Sequence, residues 1–198
     1  MNKTSALNVR YVAGLSVFIG LVVALQILAT YVRIGTFPIT LTLVPIIVGS
    51  AVFGVKAAGI LGATFGVTVI LMSLLADPAS LYLFNLRPFV FVVIIMARCI
   101  LAALSGGITY KLVTRRTKND MIAVVMAAVV TPIVNTGLFL ATFAMFYWET
   151  LLAWSGGSDY ALHFLFIVMV GANFLIEMGI NVALSPAIKR IIDIRRKM

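Results

Sequence analysis

Six apolar runs separated by short polar breaks organise this chain. They cover about Tyr11–Val32, Ile39–Val55, Ala57–Ala76, Pro88–Leu112, Met121–Tyr147 and Ala161–Ile188. The runs are continuously apolar rather than alternating, which predicts helices and not barrel strands. A helix needs roughly 20 residues to cross the hydrocarbon of a bilayer. The second run falls short of that and carries Pro45. It is expected to tilt little, to break at the proline, or to enter only part way. The pattern predicts an all-α integral membrane protein, a six-transmembrane-helix bundle, with one domain spanning residues 1–198.

Composition narrows the class further. Of 198 residues, 63% are hydrophobic and 11% are charged. A soluble domain carries about 25% charged residues. The longest polar stretch, around Lys111–Asp120, reads as a loop and leaves no room for a soluble module. The N-terminal MNKTSALNVR leads straight into the first run. That run exceeds the roughly 7–15 apolar residues of a signal peptide and reads as a retained span.

The formal charge of +9 acts as a topology signal. On one side of a six-span layout lie twelve basic residues: Lys3, Arg10, Lys56, four within Lys111–Lys118 and five within Lys189–Lys197. The other side holds two, Arg33 and Arg87. Positive charge gathers on the cytoplasmic side, so both termini are expected there, in a multi-pass membrane protein in contact with lipid. These charges sit at the ends of apolar runs without interleaved aromatics, so no nucleic-acid partner is expected. The outer connections Arg33–Thr40, Asp77–Arg87 and Trp148–Tyr160 are rich in Phe, Tyr and Trp. They read either as an interfacial aromatic belt or as a lid over an outward-facing pocket.

Two charges interrupt the runs. Arg98 lies in FVFVVIIMARCILAAL and Glu177 in FIVMVGANFLIEMGI. Placing either near mid-membrane costs roughly 2.5–3.5 kcal/mol on insertion scales. Helix rise sets Arg98 about 15 Å, and Asn135 and Asn173 about 18 Å, below the outer ends of their spans. Glu177 and Asn181 follow Asn173 at i+4 and i+8, on one face. Arg98, Asn135, Asn173, Glu177 and Asn181 therefore form a candidate ligand set, with Asn85 of the second outer connection added to it. Arg98 suits an anionic group, and the asparagines suit amides or hydroxyls. Glu177 either orients Arg98 or accepts from a ligand hydroxyl. The competing reading is a purely structural network in which Arg98 and Glu177 form a neutral pair.

Enzyme chemistry finds little support. His163 is the one histidine and stands at the outer start of the sixth run. Carboxylates are too few for a di-metal site, and no P-loop is present. Cys99 is the one cysteine, so neither an intrachain disulfide nor a thiolate metal site is available. No cofactor, metal or catalytic residue is expected. Small residues mark close helix contacts: Ser16, Gly20 and Ala24 in the first run, and Gly59, Gly62 and Gly66 in the third. The third-run set is expected to pack within the monomer. The first-run stripe is a candidate surface for another subunit.

The stretch FPITLTLVPIIVGSAVFGVKAAGILGATFGVTVIL, the polar NFLIEMGINVALSPAI and the six-run layout together resemble the substrate-binding S components of energy-coupling factor (ECF) transporters. Ile39, Thr40, Leu41, Pro45, Gly49, Phe53, Gly54 and Gly59 fit the stretch that opens span two in that family. The resemblance implies a membrane subunit that captures a vitamin from outside. It implies partners too, a transmembrane coupling subunit and two ABC ATPases, whose ATP hydrolysis makes the S component topple and release ligand inward. The family meets its coupling subunit through an AxxxA-like stripe, for which Ser16, Gly20 and Ala24 are the nearest match here. Its gating connections correspond to Arg33–Thr40 and Asp77–Arg87. The pantothenate-type members are the most similar. Folate, cobalamin and riboflavin remain alternatives, as do a stand-alone ion-coupled carrier and a membrane scaffold.

Overall fold

The computed structural model describes the backbone of residues 3–31, 33–34, 37–38 and 41–197, and of these the side chains of all but 3–8, 10, 33, 34, 37, 38, 172, 173 and 195–197. The described residues are almost entirely helical. Helix α1 spans Lys3–Tyr31, α2 Leu43–Phe53 and α3 Val55–Ala76. They are followed by α4 (Pro78–Leu86), α5 (Pro88–Thr117), α6 (Asp120–Phe146), α7 (Trp148–Ser155) and α8 (Ser158–His163). A π-helical turn, Phe164–Val170, leads into α9 (Gly171–Ala183), and α10 (Ser185–Lys197) completes the described chain. Between α1 and α2, β1 (Arg33–Ile34) and β2 (Phe37–Pro38) form a two-residue antiparallel ladder pairing Arg33 with Pro38 and Ile34 with Phe37.

Local chemistry sets these boundaries. Pro78 and Pro88 each sit in a first helical turn, where no backbone N–H is needed. Asp77 caps α4 by accepting from Ser80 N at 3.3 Å. Asn119 caps α6 by accepting from Met121 N at 2.9 Å and Ile122 N at 3.4 Å. Gly54, at φ 87°, separates α2 from α3 with a backbone turn that a side chain would strain.

Among the described residues, five stretches are long and apolar enough to cross a membrane: Tyr11–Tyr31, Val55–Ala76, Pro88–Thr117, Asp120–Phe146 and Ser158–Ala183. The second run resolves into α2, whose 11 residues extend about 16 Å and cannot cross alone. It does not break at Pro45, which occupies the first turn, where a missing N–H is harmless. Its Leu43, Ile46, Ile47 and Val48 are buried, making it a core element. Three other expectations change. The stretch around Lys111–Asp120 is mostly the end of α5, with its turn confined to Lys118 and Asn119. The outer connections after α3 and α6 fold into the helices α4 and α7. The sixth run divides at Leu184, beyond which the amphipathic α10 buries Ile188 and Ile192 and pairs Lys189 with Asp193 at 2.6 Å.

Helix α5 forms the centre of the bundle, packing most extensively against α6 and next against α3. The α3–α5 approach depends on glycine. A Cβ on Gly62 would lie 2.7 Å from Ala103 Cβ and 2.9 Å from Cys99 O and Ile100 Cα. One on Gly66 would lie 2.8 Å from Met96 Sδ. On the α6 side, Gly106 abuts Thr131. The third-run glycines thus pack within the monomer, as small-xxx-small spacing allows. By contrast, a Cβ on Gly20 would meet nothing within 4 Å.

This contrast gives a prediction. Gly62→Ala must push backbone apart and should destabilise the protein by about 1–3 kcal/mol. Gly20→Ala should be neutral or stabilising by up to about 1 kcal/mol, from helix propensity alone. Thermal unfolding of the two variants in one detergent checks this, and equal midpoints contradict the packing assignment.

Candidate ligand-binding cavity

At the end of the bundle where α1 and α3 finish and α5 begins, the helices part around a cavity of about 1320 Å³, including its open mouth. Its wall draws on α1 (Gln26, Thr30), α3 (Phe65, Val69, Met72, Ser73), α5 (Phe91, Ile94, Ile95, Arg98) and α6 (Asn135, Thr136, Phe139, Thr142, Phe143). Asp77 and Ser80 at the start of α4, Tyr147, Trp154 of α7, and Met169, Phe174 and Glu177 from the last span complete it. Asn135, Phe139 and Phe143 recur at four-residue spacing, so one face of α6 presents amide and then rings. The ring centroids of Phe139 and Phe143 stand 5.6 Å apart, and Trp154 lies 6.0 Å from Phe143.

The polar groups on this wall are unusual in their partners. Arg98 holds its guanidinium carbon 5.2 Å from the centroid of Phe139, a cation–π placement. Its Nε is buried and makes no hydrogen bond. Asn135 and Glu177 are each 6% exposed, and Asn135 Oδ1 and Glu177 Oε1 also have no hydrogen-bond partner. Among the described residues no ion pair joins Arg98 to Glu177; the pair formed is Lys189–Asp193. The neutral Arg98–Glu177 pair of the structural reading is therefore not made. Gln26, also buried, is engaged through Oε1, which accepts from Thr42 Oγ1 at 3.0 Å.

Two further candidates lie apart from this wall. Asn181, at 1% exposure, donates through Nδ2 to Glu177 O at 2.9 Å, and its Oδ1 is unpartnered. It sits one turn beyond Glu177 and does not line the cavity. Asn85 is exposed on α4, off the wall. The side chain of Asn173 lies outside the described residues, although its backbone belongs to α9 one turn before Glu177. His163 is exposed at the end of α8.

Several wall residues were not among the sequence candidates. Gln26 and Thr30 announce themselves as an i, i+4 polar pair inside an otherwise apolar run. Tyr147 and Trp154 were treated only as members of aromatic connections. Tyr147 OH donates to Leu83 O at 3.3 Å and ties the end of α6 to α4 at the mouth. Burial pushes its phenol above the ordinary range, against the pull of Arg87, and keeps it a donor.

A family model described as "ECF transporter, substrate-specific component" matches residues 15–189, which include every residue named on the cavity wall. The chain belongs to this ECF substrate-specific component family. It is a transport subunit of a multi-pass membrane protein class and not a catalyst. Among curated proteins it is similar to the pantothenic acid transporter PanT of Lactococcus lactis subsp. cremoris (strain MG1363). The two are 27% identical over 202 residues, covering 95% of this chain and 94% of PanT. No solved structure matches the chain.

The unpaired charges give a second prediction. Replacing both by apolar residues of similar volume, Arg98→Met with Glu177→Leu, should leave the thermal midpoint unchanged or raise it, by up to a few kcal/mol of stability. Solute binding should be lost in the same variant. A sharp fall in the midpoint would mean that these side chains hold the helices together.

Proposed function

We propose that this S component captures pantothenate, or a close chemical relative, from outside the cell in the cavity between α1, α3, α5, α6 and α9. The observation that carries this reading is the set of unpartnered groups on one apolar wall: a cationic donor, Arg98 Nε, and two acceptors, Asn135 Oδ1 and Glu177 Oε1. Pantothenate matches them in kind. Its carboxylate suits Arg98, its amide N–H and hydroxyls supply donors for the acceptors, and its gem-dimethyl group suits the aromatic wall. The similarity to PanT supports the same choice. A ligand held this way recovers the hydrogen bonds that burial has denied the wall.

In this reading the cavity end of the bundle faces outward. The opposite end carries the Lys111–Lys118 and Lys189–Lys197 clusters and faces the cytoplasm, with both termini there. The short α2 completes the six-helix bundle. The connection holding α4 acts as a gate, since Asp77, Ser80 and Leu83 line the cavity; most of Arg33–Thr40 lies outside the described residues. Ser16, Gly20 and Ala24 are exposed on α1 and form the contact for a transmembrane coupling subunit. That subunit works with two ABC ATPases, and toppling of the S component releases the vitamin inward. Membrane-embedded Arg98, Asn135, Asn173 and Glu177 are the ligand-binding residues of this proposal, with Asn181 buttressing Glu177 from one turn beyond.

Calorimetry on the purified full chain against a vitamin panel tests it. Pantothenate should bind without ATP, and Arg98→Ala should weaken it by roughly 10- to 100-fold, the worth of a charge-assisted contact. Arg115→Ala, at the opposite end of α5, should leave the affinity unchanged. Heat from folate or riboflavin alone would reassign the ligand; silence across the panel from folded protein would sink vitamin capture.

A further inference from the structure

The cavity changes character along its axis. On α6, Asn135, Phe139, Phe143 and Tyr147 follow one another at four-residue spacing, and all line it. Each step climbs about 6 Å toward the mouth, where α6 ends at Phe146. One wall therefore runs from an amide through two rings to a phenol. Helix α5 repeats the order from the mouth inward, with Phe91, then Ile94 and Ile95, then Arg98. Arg98, Asn135 and Glu177 are the deepest described wall residues of α5, α6 and α9. A guanidinium cannot be deprotonated in a protein, so Arg98 brings a fixed positive charge to this end. The rim is polar again, with Ser80 of α4 and Tyr147.

Below the deep end the bundle is solid. One turn past Arg98 stand Ala102 and Ala103, one turn past Asn135 stands Thr131, and one turn past Glu177 stands Asn181. None of these is more than 1% exposed. Two glycines close the helices around them: a Cβ on Gly62 would lie 2.7 Å from Ala103 Cβ, and Gly106 abuts Thr131. A chain passing beyond the polar floor would have to part packed helices. At the other end the cavity opens at its mouth.

We infer that the cavity orients its ligand, taking the acid group first and holding it as a free, terminal carboxylate at the closed end, with the neutral polar end at the rim. The inference rests on the proposed capture of pantothenate and adds to it a direction. Derivatives blocked at the acid are rejected, for want of charge and of space. Derivatives extended at the hydroxyl end are accepted, because the extension leaves through the mouth.

Pantothenate and three derivatives test this by calorimetry on the folded full chain in lipid nanodiscs. Panthenol carries a hydroxymethyl group in place of the carboxylate. N-pentylpantothenamide caps the acid with a chain, and the 4′-O-pentyl ether of pantothenate carries the same chain at the other end. The wild type should bind panthenol about 10- to 100-fold more weakly than pantothenate, the worth of a charge-assisted contact. The amide should fall about 10-fold or more below panthenol, because its chain meets packed helices. The ether should stay within about 10-fold of pantothenate, having lost one neutral donor. An ether weaker than the amide reverses the direction and overturns the inference. Panthenol as tight as pantothenate, or the amide as tight as panthenol, overturns it too. Arg98→Gln gives a second reading: it should abolish the preference for pantothenate over panthenol and leave panthenol's own affinity within about threefold. A preference that survives puts the acid at another cation, and lost panthenol binding makes Arg98 a structural prop; either overturns the inference. Failure of folded wild type to bind pantothenate defeats the proposed function itself, a result separable from all of these.

Discussion

An arginine and a glutamate share one apolar chamber and form no ion pair with each other. Everything distinctive about the site follows from that constraint. Either group is expensive in a membrane when ionised, and pairing Arg98 with Glu177 would have been the simplest relief. Instead Arg98 rests over Phe139, and Glu177 Oε1 has no partner. A helical bundle can sustain this only if the groups face a cavity, where water or a solute replaces the missing contacts. Under the proposed function, a complementary solute would complete their hydrogen bonding.

Such a cavity needs rigid walls, and the packing supplies them on one side. Gly62 and Gly66 bring α3 against α5, and Gly106 brings α5 against α6. These contacts lock the three helices that carry Phe65, Arg98 and Asn135. The mouth is built differently. Short helices α4 and α7 cover it, and one link between α4 and the core is the hydrogen bond from Tyr147 to Leu83 O. A single neutral hydrogen bond is worth about 1 kcal/mol, little against the buried interfaces below it. Leu83 of α4 and Leu151 of α7 are buried in the same apolar core, and that packing holds the cover as well.

The legible part of this architecture was the part governed by hydropathy. Apolar runs located α1, α3, α5 and α6 closely, because a bilayer forces every backbone group into a helix. Arg98, Glu177 and Asn135 were visible because a polar residue in such a run has few innocent explanations. Depth alone could not separate Glu177 from Asn181: they share a helix face, yet one lines the cavity and the other is buried beyond it. Helix–helix packing decides that, and no periodicity encodes it. The fate of the second run was also hidden. Pro45 is harmless in a first turn and disruptive in an interior, and the starting residue of α2 determined which applied. Aromatic residues in the connections were ambiguous for a similar reason. Trp154 lines the cavity while Trp148 is exposed, although both occupy the same eight-residue helix.

Helix α1 joins the two tasks that the proposed function assigns to the chain. Gln26 and Thr30 are buried and line the cavity, whereas Ser16, Gly20 and Ala24 are exposed. At 3.6 residues per turn, the centres of the two sets lie about 100° apart around the helix, so they occupy adjoining sides and different depths of one element. Gln26 is further tied to the start of α2 through Thr42. A rotation or tilt of α1 against a coupling subunit would carry Gln26 and Thr30 with it, because a hydrogen-bonded helix transmits such motion along its length. Under the proposed function, ligand capture and partner contact would therefore share one helix. A solute that touches Gln26 or Thr30 acts on α1 directly. Under the proposed function, the polar pair would be one physical link between binding and delivery.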